Sequence, residues 1–223
     1  MNFYRQNWYY VGGALFVALA YIMGFWGVYH LTEIQVILIY SFMAMLAHQF
    51  EEYAVPGGFQ GIGNIAMFGE RLAPDRYPLN ANQVMISNVF LTYPFYVIPV
   101  FFPDLIWLGF IQVGQGMVQI INHGILTNLR MKTLYNPGLA TVLLLQWPTG
   151  IYYIYFVSAH HLAMNSDYIF GLLGAFASTV VLWLGPIRLF RDRNSKYPFR
   201  EADMFKFMGR RLREMLATPP RSE

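Results

Sequence analysis

The sequence predicts an all-α polytopic membrane protein: a six-transmembrane-helix bundle followed by a C-terminal interfacial amphipathic helix. Three observations predict it. The 223 residues are 56% hydrophobic and only 12% charged, with a mean hydropathy of +0.37, about half the charge of an ordinary soluble domain. The deficit is uneven, leaving long stretches with no charge at all. The lysines and arginines, finally, fall only in alternate segments between the apolar runs.

The first apolar run, Trp8 to Tyr29, exceeds the roughly 7–15 residues of a signal-peptide core and lacks a small-x-small exit, so it reads as a retained span over 8–30. Spans over 33–53, 83–102, 104–127, 138–159 and 167–189 follow, each near the roughly 20 residues that cross a bilayer. Pro103 and Asp104 make a tight hairpin between the third and fourth, and Pro148 is expected to kink the fifth. Residues 1–190 thus form the transmembrane domain and 191–223 a basic tail.

Arg5 precedes the first span, Arg71 and Arg76 lie between the second and third, Arg130 and Lys132 between the fourth and fifth, and the remaining basic residues, Arg188 to Arg221, follow the sixth. With six spans all of them share one side. The positive-inside rule makes that side cytoplasmic, with both termini, in the plasma membrane or a bacterial inner membrane. In the tail, a helix is expected over 200–216: Phe205, Met208, Leu212 and Met215 recur at helical spacing while Lys206, Arg210, Arg211 and Arg213 take mostly other faces. Such a helix suits membrane lipids, specifically an anionic inner leaflet. It accounts for the pI near 9.1 without nucleic acid.

With no cysteine, disulfides, thiolate metal sites and cysteine nucleophiles are excluded. The glycine-rich "PGGFQGIGN" after the second span lacks the Gly-Lys-Ser/Thr ending of a phosphate-binding loop, and there is no nucleotide or haem signature.

The second span ends in "HQFEE". His48 lies three residues from Glu51 and four from Glu52, so the imidazole shares a helix face with either carboxylate. A helix C-terminus disfavours each carboxylate by about 0.3–1 kcal/mol, so a metal, an arginine or a proton must compensate. The fourth span brings Gln112, Gln115, Gln119 and Asn122 along one stripe with His123 beside it, and Asn88 lies early in the third. Polar side chains at that depth face the bundle interior or a wet cavity. The candidate catalytic and metal-ligating residues are therefore His48, Glu51, Glu52 and His123, supported by Asn88, Gln115, Gln119, Asn122 and Tyr135. His30, His160 and His161 lie at the opposite ends of their spans, about 30 Å of hydrocarbon away. The "YNPG" of Tyr135 to Gly138 sets a turn and presents the N–H groups of the fifth span, donors suited to an anion.

"HQFEE" (48–52), "NHG" (122–124) and "YNPG" (135–138), in that order over about residues 40–140, resemble the HXXEE-motif family of integral membrane proteins. The resemblance marks these residues as the site and supplies no reaction. The His48–Glu52 spacing is also similar to the His-x-x-x-Glu pair that emopamil-binding-type sterol isomerases use for proton transfer. That second similarity is one of mechanism only, because those proteins have five spans.

Two histidines and two carboxylates from separate helices are a ligand set for a divalent metal, zinc, iron or manganese. The expected function is accordingly a metal-dependent membrane enzyme acting on a lipophilic or membrane-associated small molecule. Three alternatives stand beside it. One is a metal-free isomerase or cyclase in which His48 and Glu52 exchange protons and Trp107, Trp147 or Tyr152 shelters a cationic intermediate. Another is a small ion, proton or metal carrier, although paired broken helices and internal symmetry are missing. The last is a structural protein whose Glu51 and Glu52 pair with Arg71, Arg76 or Arg130.

Overall fold

The computed structural model describes residues 1–217; the last part of the expected tail, 218–223, lies outside them. The described residues are helical, with no strand. In order come α1 (Asn2–His30), α2 (Glu33–Tyr53), a short α3 (59–67), α4 (Ala81–Phe101), α5 (106–131), α6 (Leu139–Ala159) and α7 (Asn165–Phe190). Five of these, α1, α2, α4, α6 and α7, are long and apolar enough to cross a membrane, where the hydropathy reading expects six. The difference is α5. It matches the others in length, but Gln112, Gln115, Gln119, Asn122 and His123 lower its hydropathy. Helix α1 also starts at Asn2, ahead of its apolar run.

Helix α2 is the axis of the bundle. The Thr32 hydroxyl accepts the Gln35 N–H and the Gln35 side chain accepts the Thr32 N–H, a reciprocal cap that starts the helix. Over half of its most apolar stretch (56%) is buried, against 17–33% for the four other candidate spans. At one end Ile37 and Leu38 pack with Ile106, Phe110 and Tyr153. In the middle Phe42 and Leu46 pack with Tyr96. At the other end Tyr53 joins Trp8, Phe59, Ile62 and Met204.

Pro148 leaves α6 unbroken. It follows a widened, π-type turn over Val142–Gln146, and Pro94 and Pro186 likewise follow Ile86–Leu91 and Val180–Leu184. A proline cannot donate to the carbonyl four residues back and its ring presses on it, so the preceding turn opens. The carbonyl that Pro186 leaves unpaired, Leu182 O, accepts the Ser87 hydroxyl of α4 instead.

The basic residues converge on one end. The Arg5 side chain donates to Asn82 and lies 4.1 Å over the Tyr197 ring. Arg76 donates to Ser195 O, Arg193 pairs with Glu70 at 2.8 Å, and Arg200 donates to Gln6 O at 3.0 Å. The expected single tail helix is instead two, α8 (Glu201–Met204) and α9 (Gly209–Ala217), separated by a turn in which Met208 has φ +51°. Met204 and Leu212 are buried in the core with Ile62 and Ile65, so much of the tail's apolar side faces protein. The glycine-rich loop makes room for it. A Cβ at Gly57 would lie 2.9 Å from Lys206 Cδ, one at Gly58 2.7 Å from Phe207 N, and one at Gly61 would collide with Met204 O.

Candidate functional site

The last turns of α2 carry His48, Glu51 and Glu52, and the widened turn Ile121–Thr127 of α5 carries His123. All four are at most 7% exposed. The two imidazoles meet edge to face, centroids 4.9 Å apart at 89°, with the Phe59 ring 5.1 Å from that of His123. Between them stands Glu52: Oε1 is 3.1 Å from His123 Nε2 and Oε2 is 3.8 Å from His48 Nε2. One ligand atom from each of His48, Glu52 and His123 lies within 4.8 Å of the others. First-row metals with ligands at about 2.0–2.2 Å hold tetrahedral ligand atoms near 3.4 Å apart, inside this spread.

The outer nitrogens decide the protonation pattern. His48 Nδ1 is 3.1 Å from Gly138 O. A carbonyl only accepts, so Nδ1 carries the proton. The Thr141 hydroxyl, also 3.1 Å away, spends its proton on Glu51 or on Gly138 O and accepts as well. His123 Nδ1 is 2.8 Å from Asn136 Oδ1. The orientation of that amide is set because its nitrogen donates to His123 O at 2.7 Å and to Asn128 Oδ1 at 2.8 Å, and Asn128 is set in turn by the carbonyls of Gly124 and Leu134. His123 Nδ1 is therefore protonated too. In the neutral rings both Nε2 atoms present lone pairs towards the Glu52 carboxylate. His48 Nε2 is buried without a hydrogen-bond partner, and the only donor near His123 Nε2 among the described residues, Asn122 Nδ2, is a long 3.4 Å away. Three acceptors thus face one another, an arrangement that could hold a metal ion.

Glu51 turns the other way, so its oxygens do not join this group. They accept from the Tyr135 hydroxyl (2.8 Å), Ala140 N (3.1 Å), Thr141 N (2.8 Å) and the Thr141 hydroxyl (2.6 Å). The N–H groups that Pro137-Gly138 presents at the start of α6 are taken up by this carboxylate, which suits the positive end of a helix. Burial, followed by the hydrogen bond to Glu51 and then the Glu51 charge, holds the Tyr135 phenol above its ordinary value, so it stays a donor. The adjacent glutamates therefore have separate duties: one closes a helix end and one faces two imidazoles.

Gly138 ties both arrangements together. Its φ is +106°, where a side chain is strained, and a Cβ there would lie 2.5 Å from His123 Cε1 and 2.9 Å from His48 Cε1. The last residue of "YNPG" must be glycine for the histidines to meet.

Beside Glu52 opens a cavity of about 300 Å³ between α4, α5 and α7. Asn88, Gln115, Gln119 and Asn122 all line it, opposite Phe176, Leu182 and Trp183. Asn88 accepts from Gln49 and donates to Val84 O. The Gln115 oxygen accepts from Ser178 at 2.9 Å, whereas its amide nitrogen and the whole Gln119 amide make no hydrogen bond among the described residues.

The other histidines stay apart: His30 Nδ1 contacts Trp26 O and His160 Nδ1 contacts Phe156 O. Nor do the arginines pair with Glu51 or Glu52. Arg71 donates to the carbonyls of Ile65 and Glu70, Arg76 pairs with Asp75, and Arg130 is exposed without an ion pair among the described residues. The charge that reaches the end of α2 is Lys206, 3.4 Å from the carbonyls of Tyr53 and Ala54, where a cation complements the helix dipole. Sequence reasoning missed Lys206, Asn128, Asn136 and Thr141 as partners of the site. Asn136 sat inside the quoted "YNPG"; Lys206, 154 residues from Glu52 along the chain, left no local signal.

The family model described as "Protein of unknown function with HXXEE motif" matches residues 39–153, more than half of the chain, a segment that includes His48, Glu51, Glu52, His123 and Tyr135 to Gly138. Neither the curated proteins nor the solved structures contain a match. With its His48-Gln49-Phe50-Glu51-Glu52 motif inside the matched segment, the chain belongs to the HXXEE-motif family.

Proposed function

We propose that the protein is a membrane-embedded, metal-dependent enzyme acting on a lipophilic small molecule, with six spans and its basic end in the cytoplasm. Its ligands would be His48, Glu52 and His123. One observation carries the proposal: two imidazoles, each with its proton held on Nδ1, direct their Nε2 lone pairs at one buried carboxylate. Buried acceptors facing one another without a donor are costly. A proton between Glu52 and His123 would relieve one contact and leave His48 Nε2 unpartnered, whereas a divalent cation satisfies all three. Two histidines and one carboxylate with an open fourth position form a catalytic ligand set for zinc, and imidazole with carboxylate also suits iron or manganese.

When bound, such a metal supplies Lewis acidity and an activated water. The remaining work belongs to the chain. Asn136 and Gly138 O hold the two rings in the ligating tautomer. Gln115 and Gln119 offer amide donors to a hydroxyl or carbonyl oxygen of the substrate, and Phe176, Leu182 and Trp183 receive its apolar part. The volume of about 300 Å³ is at the small end of ligand pockets. The cavity wall includes Ile121, Leu126 and Phe176, which are 41%, 44% and 52% exposed on the outside of the bundle. A substrate dissolved in lipid would therefore enter sideways.

A second reading has its own support. The 3.1 Å between Glu52 and His123 is a hydrogen-bond distance, so a protonated pair could serve as general acid and base without metal. The test is metal analysis of the purified full-length chain. Near-stoichiometric metal, lost in His48→Ala and His123→Ala, is the expected result. Metal-free protein whose activity still depends on Glu52 overturns the proposal in favour of acid–base chemistry.

A further inference from the structure

A second pocket, of about 420 Å³, lies where the segment 68–78 meets the end of α7, at the basic end of the bundle. The proposed chemistry does not use it. Arg71, Arg191 and Arg193 line it together with a single carboxylate, Glu70, leaving two uncompensated positive charges. Glu70 is fully engaged: Oε2 accepts from Arg193 at 2.8 Å, and Oε1 from the N–H groups of Arg71, Leu72 and Ala73 at 3.1, 2.7 and 3.2 Å. The Arg71 guanidinium rests on the carbonyls of Ile65 and Glu70, which position it without neutralising it. Arg193 is held 4.4 Å over the Tyr77 ring. Arg191 is exposed, and its side chain makes no hydrogen bond or ion pair among the described residues.

The rim is apolar. Phe68 and Leu72, both in the pocket wall, are 43% and 83% exposed, and Leu189 and Phe190, next to Arg191, are 78% and 41% exposed. A free phosphate would use the arginines and ignore this rim. An amphiphile with an acidic head and acyl chains uses both.

We propose that the Arg71–Arg191–Arg193 pocket binds the headgroup of an anionic phospholipid, its chains lying along Phe68, Leu72 and the end of α7. Planar guanidinium groups pair with phosphate oxygens in a fork, and basic pockets between spanning helices at a cytoplasmic face recognise acidic headgroups.

The test uses the full-length chain in detergent, titrated with phosphatidylglycerol or phosphatidylcholine and read by native mass spectrometry. Each arginine near a membrane surface should be worth roughly a fivefold change in affinity. Arg191→Gln is therefore expected to weaken phosphatidylglycerol binding about fivefold and Arg71→Gln with Arg191→Gln about thirtyfold, with phosphatidylcholine binding unchanged. Arg191→Gln removes no internal contact, so it keeps the test readable if the double variant folds poorly. Equal phosphatidylglycerol binding by wild type and Arg191→Gln overturns the proposal. So does displacement of phosphatidylglycerol by millimolar inorganic phosphate, which would make the ligand a free anion.

Discussion

Glutamine at position 51 or at position 52 should damage different properties of the protein. Glu51 accepts four hydrogen bonds, from Tyr135, Ala140 and twice from Thr141, at 2.6–3.1 Å. Hydrogen bonds to a charged group contribute about 1.5–3 kcal/mol each and do not add fully, and removing one partner of a buried charged arrangement costs about 3–5 kcal/mol. Glutamine keeps one oxygen and turns an NH₂ group towards the backbone N–H donors of α6, so Glu51→Gln should lose about 2–4 kcal/mol. In a chain of this size that corresponds to a melting temperature lower by roughly 10 °C. Among the described residues Glu52 accepts no N–H or O–H bond and faces only the two Nε2 lone pairs, so removing its charge relieves a crowd of acceptors. Melted in the presence of a chelator, Glu52→Gln should match or exceed the wild type. Metal content should show the reverse: retained in Glu51→Gln and lost in Glu52→Gln. The assay is thermal melting of detergent-solubilised protein by intrinsic fluorescence, with metal analysis of the same samples. Equal loss of melting temperature in both variants would refute the division of labour, as would loss of metal from Glu51→Gln at an unchanged melting temperature.

Three further outcomes are expected. Gly138→Ala places a side chain at φ +106°, at a cost of about 1–3 kcal/mol, and pushes the imidazoles apart. It should abolish metal binding more completely than its drop in melting temperature alone explains. Asn136→Ala releases the His123 tautomer and should weaken metal affinity about 10–100-fold with the helical circular dichroism unchanged. Burial alone would raise the Glu70 carboxyl, but the Arg193 hydrogen bond and the N–H groups of Leu72 and Ala73 outweigh it and hold it below its ordinary value. Because the folded form has the lower pKa, the stability contributed is complete above the unfolded value of about 4.3 and is lost as the pH falls through the lowered one. Melting temperatures of wild type and Glu70→Gln should therefore differ at pH 7 and converge as the pH is taken below about 4. A constant gap across that range would remove the assigned role.

The sequence by itself determined the helical, apolar class of the chain. Charge-free runs, each about the thickness of a bilayer, are properties of the linear order of residues. It also contained the site's main members, because His48 and Glu52 occupy one helix face wherever that helix packs, and because the polar stripe of α5 has one interior-facing reading. That same stripe shows the limit of hydropathy: α5 is as long as its neighbours, yet the glutamines that line the cavity remove it from the apolar count. Which glutamate faces the histidines was beyond the sequence. Adjacent residues on a helix point about 100° apart, so the choice depends on where α5 and the start of α6 stand around α2. The tail's fate was likewise beyond the sequence: the spacing of Phe205, Met208, Leu212 and Met215 reads as a face turned to lipid, yet an apolar helix face suits protein equally. Only the glycine-lined groove at Gly57, Gly58 and Gly61 draws Met204 and Leu212 into the core. Local pattern selects which residues share a face, and the packing of distant segments selects what that face meets.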